Sequence, residues 1–301
     1  MNWSPTVDIV VPCYNVAHVV EKCVISLLKQ QYDENKISIY LINDGSTDAT
    51  GKILDSFLHH QHVNIIHLEK NRGLSTARNT GIKSGTGEVI IFLDSDMTVQ
   101  SNWISEHLNI LSDNDVVGVI GDSQLPLGHI PNELDGYLYD TRRGARRFGE
   151  GIPIRFPYFL LNNTSLKRSV FDVIEFFDEN IMSYGGEDTE LAIRLWEAYP
   201  EGLRFSFSAA CEHHHPRELN DYCHSMHGYG KTNLPSLLEQ FPQHKAELGG
   251  QWIKSIKGYL LFNPIVRFWV AKTRHFCNSY WLSRYQVIDA VIQGARLVYR
   301  R

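Results

Sequence analysis

The chain has 301 residues, of which 43% are hydrophobic, and a formal net charge of -5. At this length a single core begins to split, so one main domain with an appendage is expected. The net negative charge argues against a nucleic-acid-binding protein. Five cysteines without C-x-x-C spacing indicate neither a disulfide framework nor a zinc site, and they fit a reducing cytoplasm. The amino terminus lacks the pattern of a signal peptide, so a cytoplasmic location is expected.

Three β-α units open the chain. Apolar runs at 7–11, 37–42 and 65–68 predict buried strands, and apolar residues at helical spacing predict helices at 16–31, around 53–58 and at 73–84. A fourth run, 89–93, follows, so we expect a parallel sheet with right-handed crossovers. Neither a G-x-G-x-x-G nor a P-loop motif occurs. A nucleotide site would therefore need side chains and a metal.

Two carboxylates stand at the carboxyl end of the fourth strand. Asp94 and Asp96 point the same way across Ser95, because side chains alternate in an extended chain. Ligands bind at this edge of open α/β sheets, and paired carboxylates suit a hard divalent cation. The alternative is a strand that simply ends in a solvated turn.

Beyond residue 97 the apolar residues follow strand and helix periodicity less regularly. They predict a helix at 101–111, strands at 116–120, 156–161 and 203–207, and a mostly helical remainder after residue 215. The segment 124–151 is long, turn-rich and basic, which is typical of a functional or mobile loop.

An acidic pair follows two glycines at a predicted helix start. Asp188 on such a hinge can act as a general base, whereas the alternative is that Glu187 and Asp188 complement the positive helix end. Neighbouring helical residues diverge by about 100°, so one of the two would act as base while the other shapes the site.

Further polar residues follow predicted strands. His213 and His215 share one side of an extended chain, and an imidazole there suits a borderline ion such as Mn²⁺. Arg78, on the ligand side of the sheet, can clamp phosphate or be an ordinary surface charge. Asp44 can accept hydrogen bonds from a base ring or belong to a common Asp-Gly turn.

The tail is locally basic. Residues 254–301 hold nine Lys or Arg and one acid, Asp289, interleaved with aromatic residues. The segment is too interrupted for a membrane span. A basic aromatic helix can lie on an anionic membrane surface, and packing against the main domain is the alternative.

Taken together, six motifs resemble family 2 glycosyltransferases, which have the GT-A fold. They cover roughly residues 7–230, and Asn43 is a departure where many members carry aspartate. In chain order the motifs are VVPCYN (10–15), NDGSTD (43–48), NRGLSTARN (71–79), DSD (94–96), GEDTEL (186–191) and HHH (213–215).

The resemblance implies an α/β GT-A fold, with a Rossmann-like, mostly parallel central sheet flanked by helices and a helical C-terminal extension. It implies a catalytic domain at 1–230, with a nucleotide-binding half at 1–97 and an acceptor-binding half at 98–230, and the extension at 231–301. Asp188, with Glu187, would be catalytic, and Asp96 with His213 or His215 would bind metal. The implied nucleotide-sugar-binding residues are Pro12, Tyr14, Asn15, Asp44, Asn71, Arg78, Asp94 and Ser95.

The function so implied is inverting transfer, with Mn²⁺ or Mg²⁺, of a sugar from a nucleotide-diphosphate sugar to an acceptor hydroxyl. The basic aromatic tail favours a UDP-linked donor and a glycan or lipid-linked acceptor. We expect peripheral contact of residues 254–301 with the inner face of the cell membrane, and no nucleic-acid partner. A sugar-1-phosphate nucleotidyltransferase is an alternative, but its Gly-rich basic loop is missing after the first strand. A non-catalytic sugar-binding module does not account for a metal pair plus a base.

Overall fold

The structure is a computed structural model that describes residues 3–215, 217–274 and 279–299. These residues fold into two units. The first contains 3–127, 144–182 and 187–215, and the second contains 128–143, 183–186, 217–274 and 279–299. The division at residue 230 stays a prediction, and two short earlier segments group with the carboxyl-terminal part.

The first unit is built on one mixed eight-stranded sheet. The strands are β1 (Val7–Cys13), β2 (Ile37–Asn43), β3 (Val63–His67), β4 (Val89–Leu93), β5 (Met97–Val99), β6 (Gly118–Gln124), β7 (Asn163–Lys167) and β8 (Leu203–His213). Their order across the sheet is β3-β2-β1-β4-β7-β6-β8-β5. Strands β1 to β4 pair in parallel, as does β6 with β8, whereas β7 is antiparallel to both neighbours and β5 to β8.

The parallel half confirms the expected β-α units. Every residue of β1 and β4 is buried, which explains why β4 is a continuous apolar run and why β1 is apolar apart from Asp8, which pairs with Arg168, rather than alternating. The predicted strands in this half coincide with β1 to β4 within two residues. The carboxyl ends of these strands therefore form one edge, where the polar motifs begin.

Helices flank the sheet in the first unit and make up most of the second. In the first unit they are α1 (Val20–Leu27), α2 (Thr50–Asp55), α3 (Leu74–Ser84), α4 (Trp103–Leu111) and α6 (Glu187–Ala198). In the second they are α5 (Glu133–Leu138), α7 (Leu219–Lys231), α8 (Asn233–Gln240), α9 (Gln251–Lys254), α10 (Ile256–Leu261), α11 (Pro264–Arg274) and α12 (Tyr280–Tyr299).

The strand predicted at 156–161 is wrong. Phe156–Tyr158 forms a short 3-10 turn, and the strand that pairs with β4 is β7, which begins at Asn163. Pro157 has no N–H to give to a sheet ladder, and the apolar side chains of Phe159 and Leu161 are fully buried without being in a strand. An apolar run therefore indicated burial here but not strand geometry.

A neutral polar cluster joins β7 to β6, β8 and α4. The fully buried Asn163 side chain accepts hydrogen bonds from Trp103 Nε1 at 2.9 Å and His107 Nε2 at 3.1 Å. Its amide nitrogen donates to the carbonyls of Asp122 and Ala209. All four bonding positions of the amide are thus occupied, and we refer to these groups as the Asn163 cluster.

His107 is held neutral in the Asn163 cluster. Its Nδ1 lies 3.1 Å from Ser165 Oγ, so Nε2 carries the proton given to Asn163 and Nδ1 accepts from the serine hydroxyl. Burial lowers the pKa of His107 from 6.5 to about 4.

In the second unit, α7 and α12 pack closely through glycines. A Cβ on Gly230 would collide with the Val291 carbonyl, and one on Gly294 would collide with the carbonyl of His227. Small residues let the two helix backbones approach each other. Among the described residues, no helix combines the length and apolar character needed to cross a membrane.

Candidate active site

The predicted acidic motif lies at the carboxyl edge of the parallel strands. Asp94 follows β4 directly, and Asp96 precedes β5. Because β5 pairs with the end of β8, Met97 lies opposite His213. This pairing brings a histidine more than a hundred residues away in sequence to the side of Asp96.

Asp96 and His213 face each other. The His213 Nε2 atom lies 3.2 Å from Asp96 Oδ2, and the rings of His213 and His215 are 4.7 Å apart between centroids. His214 turns away and bonds Thr98 Oγ1 at 2.8 Å. The predicted alternation of the three histidines is confirmed. Burial opposes ionisation of Asp96, but the hydrogen bond from His213 and the charges of both histidines lower its pKa below the ordinary value.

A divalent metal fits this pair of residues. One carboxylate and one imidazole form a donor set suited to Mn²⁺, and Mg²⁺ also binds through one or two carboxylates plus phosphate oxygens. Among the described residues, no group of three or more His, Cys, Asp or Glu side chains forms a cage that could hold the ion by protein ligands alone. Phosphate oxygens of the donor and water would fill the remaining coordination positions of the ion.

The buried guanidinium of Arg78 lies within 4 Å of three carboxylates. Its side chain is 1% exposed, and Nη1 donates to Asp188 Oδ1 at 2.5 Å. Its Nη2 lies 3.4 Å from Asp94 Oδ1, and Nη1 lies 3.9 Å from Glu187 Oε1. We call these four residues the Arg78 cluster. The predicted contact of Arg78 with the diphosphate stays a prediction; here both terminal nitrogens face protein acceptors.

The Arg78 cluster carries more negative than positive charge. Burial raises the pKa of Asp94 to about 7, although Arg78 acts in the opposite direction. Burial and the charge of Asp188 likewise raise the pKa of Glu187 to about 7. One guanidinium thus serves three acids, and the cluster holds protons near neutral pH.

Asp188 is held by groups outside its own helix. Its Oδ1 accepts from Arg78, and its Oδ2 accepts the backbone N–H of Leu161 at 3.1 Å. A residue that merely complements the positive end of α6 would need no such partners. Its side chain is 17% exposed, so a substrate hydroxyl can still reach the carboxylate.

Asp44 fixes the loop that leads into α3. Its two carboxylate oxygens accept the backbone N–H groups of Arg72 at 2.7 Å and Gly73 at 2.9 Å. The residue is 3% exposed, and burial raises its pKa. Gly73 has φ +89°, which suits glycine at this turn. The contact of Asp44 with a base ring stays a prediction.

The other predicted donor residues differ in exposure. Tyr14 is 47% exposed and Asn71 is also exposed, so both are open to a ligand. Pro12 and Ser95 are buried. Asn15 adopts a left-handed backbone (φ 53°) and accepts the N–H of Thr47, which fixes the turn after β1.

Sequence reasoning missed the segment that covers Arg78. The Asn79 side chain exchanges hydrogen bonds with the backbone of Phe177 and also donates to Glu179 Oε1. The Phe177 ring lies 5.3 Å from the Arg78 guanidinium carbon. In the sequence, the only signal for these contacts was that Asn79 directly follows Arg78 in the same motif.

Residues 8–171 match Glycosyl transferase family 2. The chain belongs to this family. This family 2 glycosyltransferase is 38% identical over 137 residues to Glycosyltransferase GlyG of Streptococcus pneumoniae serotype 4, covering 45% of the chain and 43% of the relative. It is 25% identical over 244 residues to Uncharacterized glycosyltransferase YfnE of Bacillus subtilis, covering 66% and 61%. The chain thus spans less than two thirds of these relatives.

Solved structures share the fold of this family 2 glycosyltransferase. Mannosyltransferase PcManGT from Pyrobaculum calidifontis, in complex with GDP-Man and Mn²⁺, has a TM-score of 0.70 at 16% identity, covering 100% of this chain and 89% of its own. Residues 1–349 of S. aureus TarS give 0.55 at 17% identity, covering 98% and 91%. The GT-A fold prediction is confirmed.

Proposed function

We propose that the protein is an inverting, metal-dependent glycosyltransferase that moves a sugar from a UDP-linked donor to a hydroxyl of a glycan or lipid-linked acceptor. One observation carries the proposal: Asp94 and Asp188 contact the same Arg78 guanidinium, so a donor-side acid and a candidate base stand at one site. Family membership supports it, as do fold neighbours in complex with GDP-Man and Mn²⁺ or with UDP-GlcNAc.

The reaction is a single displacement. The acceptor oxygen attacks the anomeric carbon opposite the leaving group, and its proton passes to the Asp188 carboxylate. A new carbon–oxygen bond forms while the bond from the anomeric carbon to the phosphate oxygen breaks, and the nucleoside diphosphate leaves with the electron pair. A positioned base contributes about 10²–10⁴-fold. In this scheme Glu187, with its pKa raised to about 7, is partly protonated near neutral pH, and this limits the negative charge around Asp188.

Asp96 and His213, with His215 as the alternative, would hold Mn²⁺ or Mg²⁺. When bound, the ion supplies Lewis-acid stabilisation of the charge on the departing diphosphate. The donor's nucleotide would lie against Pro12, Tyr14, Asn15, Asp44 and Asn71, and its diphosphate and sugar near Arg78, Asp94 and Ser95.

Two other functions remain to be tested against this one. A nucleotidyltransferase would release pyrophosphate from a nucleoside triphosphate and a sugar phosphate, and a binding module would turn over nothing. A panel of nucleotide sugars with Mn²⁺ distinguishes them, because transfer or slow hydrolysis releases a nucleoside diphosphate. Neither alternative explains why the Asp188 carboxylate is held beside Asp94.

The Asp188→Asn variant tests the mechanism. We expect transfer to fall by about 10²–10⁴-fold because the proton acceptor is lost. UDP and Mn²⁺ should still bind, because Tyr14, Asp96 and His213 are unchanged. Asp172→Asn, an exposed site outside the cluster, is the matched control and should keep the wild-type rate. NMR of the product should show the anomeric configuration opposite to that of the donor. Near-wild-type transfer by Asp188→Asn, or a retained configuration, would contradict the mechanism.

A further inference from the structure

Helices α10 and α11 present apolar side chains to solvent. The exposed fractions are 80% for Ile256, 67% for Leu260, 71% for Ile265, 61% for Phe268 and 58% for Trp269. We call these five residues the α10–α11 surface. Scattered exposed apolar residues are ordinary, whereas a run concentrated on two consecutive helices marks an interaction surface.

The exposed side of α11 is a continuous stripe. Ile265, Phe268 and Trp269 occupy positions i, i+3 and i+4, and Lys272 follows at i+7, so all four share one face of the helix. No residue of α11 is buried. The helix is amphipathic, with its apolar face turned to solvent.

The opposite face of α11 is charged and fixed to the protein. Arg267 Nε lies 2.5 Å from Asp289 Oδ2 of α12, and Arg274 Nε lies 3.3 Å from Glu133 Oε1 of α5. These ion pairs set the rotation of α11 about its own axis. The ion pairs therefore hold α11 in the orientation that points Phe268 and Trp269 to solvent.

Lysines flank the α10–α11 surface. Residues 254–274 contain five Lys or Arg and no Asp or Glu, although the whole chain has a net charge of -5. The two arginines are paired with acids of other helices, and the other three are lysines. Lys257 and Lys272 are exposed beside the apolar residues, and Lys272 Nζ lies 5.6 Å from the centre of the Trp269 ring. Cationic and aromatic groups beside exposed aliphatic ones are typical of helices that lie in a membrane interface.

We propose that the α10–α11 surface docks on an anionic lipid bilayer, with Phe268, Trp269 and Ile265 entering the headgroup region and the lysines contacting lipid phosphates. The inference rests on the proposed transfer and deepens it by favouring a lipid-linked acceptor, which would lie at a membrane. The eleven residues of α11 rise about 16 Å, roughly half of a bilayer core, which suits a helix lying flat.

The charge pattern favours lipid over a second copy of the chain. In a symmetric dimer each copy would present the same lysines to the other, and like charges facing each other oppose association. An anionic bilayer instead meets both the lysines and the apolar stripe with complementary chemistry.

Flotation with lipid vesicles tests the proposal without using enzyme activity. The full chain should float with phosphatidylcholine vesicles that contain phosphatidylglycerol, bind pure phosphatidylcholine far less, and lose binding at high salt. The double variant Phe268→Ser/Trp269→Ser should reduce the partition coefficient roughly a hundredfold or more. Lys272→Gln should reduce it roughly fivefold.

The matched control is Leu127→Ser/Ile130→Ser, which removes two apolar side chains that are 98% and 87% exposed elsewhere. It should float like the wild type. A folded wild type that stays at the bottom of the gradient overturns the inference, as does equal flotation of the Phe268→Ser/Trp269→Ser variant.

A dimer seen by light scattering, lost in that variant and accompanied by no flotation, would assign the surface to self-association instead. Donor hydrolysis measured without vesicles keeps the two proposals apart. A protein that floats but does not hydrolyse donors refutes the proposed function alone, and one that hydrolyses donors but does not float refutes the membrane surface alone.

Discussion

The first unit contains two buried polar clusters of opposite design. In the Asn163 cluster every group is neutral, and each bonding position of the central amide has a partner. In the Arg78 cluster one guanidinium faces three carboxylates, and two of these have pKa values raised to about 7. The first cluster is balanced, whereas the second carries excess negative charge.

This difference separates a structural role from a chemical one. Neutral groups whose hydrogen bonds are all satisfied stabilise a fold, and they neither carry charge nor exchange protons near neutral pH. Unbalanced buried charge destabilises the fold, and clusters of that kind occur where a protein moves protons or binds charged ligands. Mutations in the two clusters should therefore affect stability and transfer in different proportions.

Arg78→Gln should lower both stability and transfer, which sets it apart from a substitution in the Asn163 cluster. Removing the cation leaves three acids unpaired, so the free energy of unfolding should fall by about 4 kcal/mol at pH 8, and less at acidic pH where the acids are protonated. Transfer per folded molecule should fall about a hundredfold because Asp188 loses its orientation.

Arg168→Gln is the matched control for Arg78→Gln, since Arg168 also pairs with a buried acid, Asp8. Chemical denaturation and initial rates should show lower stability with transfer within about twofold of wild type. Equal losses of transfer in both variants would mean that the Arg78 cluster has no special role.

Asn163→Leu should affect mainly stability. Two buried N–H donors and two carbonyls lose their partners, so the free energy of unfolding should fall by about 4 kcal/mol. Transfer per folded molecule should fall far less than in Arg78→Gln. Urea denaturation beside initial rates checks this, and an unchanged midpoint would refute the importance of these hydrogen bonds.

His107 should make stability depend on pH. Its pKa is 6.5 in the unfolded chain and about 4 in the fold, so the unfolded state binds the extra proton between these values. Stability from the neutral ring is complete above pH 6.5 and falls by about 3 kcal/mol as the pH drops to 4. The difference between wild type and His107→Gln in denaturation series across this range isolates the effect. A difference independent of pH would contradict the assignment.

Glu187→Gln should stabilise the protein at alkaline pH. The pKa of Glu187 is 4.5 unfolded and about 7 folded, so its stabilising contribution is complete below pH 4.5 and is lost as the pH rises to 7. Because Asp94 shares the proton, we expect a gain of about 2 kcal/mol at pH 8 and none at pH 4. Thermal melts at both pH values measure this. A loss of stability at pH 8 would show that the charge of Glu187 is favourable.

Much of the parallel half was predictable because its signal is local. β4 is an uninterrupted apolar run that ends in two aspartates, and both its burial and the edge it reaches follow from those residues. β7 was missed because Asn163, Thr164 and Ser165 are polar yet fully buried. Their burial depends on partners in other elements, which no pattern within the strand reveals.

The site was predictable in its members more than in their contacts. The family resemblance implied that Asp96 and His213 or His215 share one site, and the structure brings Asp96 to His213. The contacts of Arg78 with Phe177 and Leu161 carry no motif and could not be predicted. Likewise, the basic aromatic tail was visible in sequence, but the inward turn of Arg267 requires Asp289 on another helix.

Helix α3 joins two parts of the proposed mechanism. Its first turn is tied through Gly73 to the carboxylate of Asp44, and one turn later it delivers Arg78 to Asp188. If the nucleotide and the acceptor bind as proposed, this eleven-residue helix would couple nucleotide binding to the position of the base. Substitution of Asp44, which removes the acceptor of the Arg72 and Gly73 N–H groups, should therefore slow transfer as well as weaken nucleotide binding.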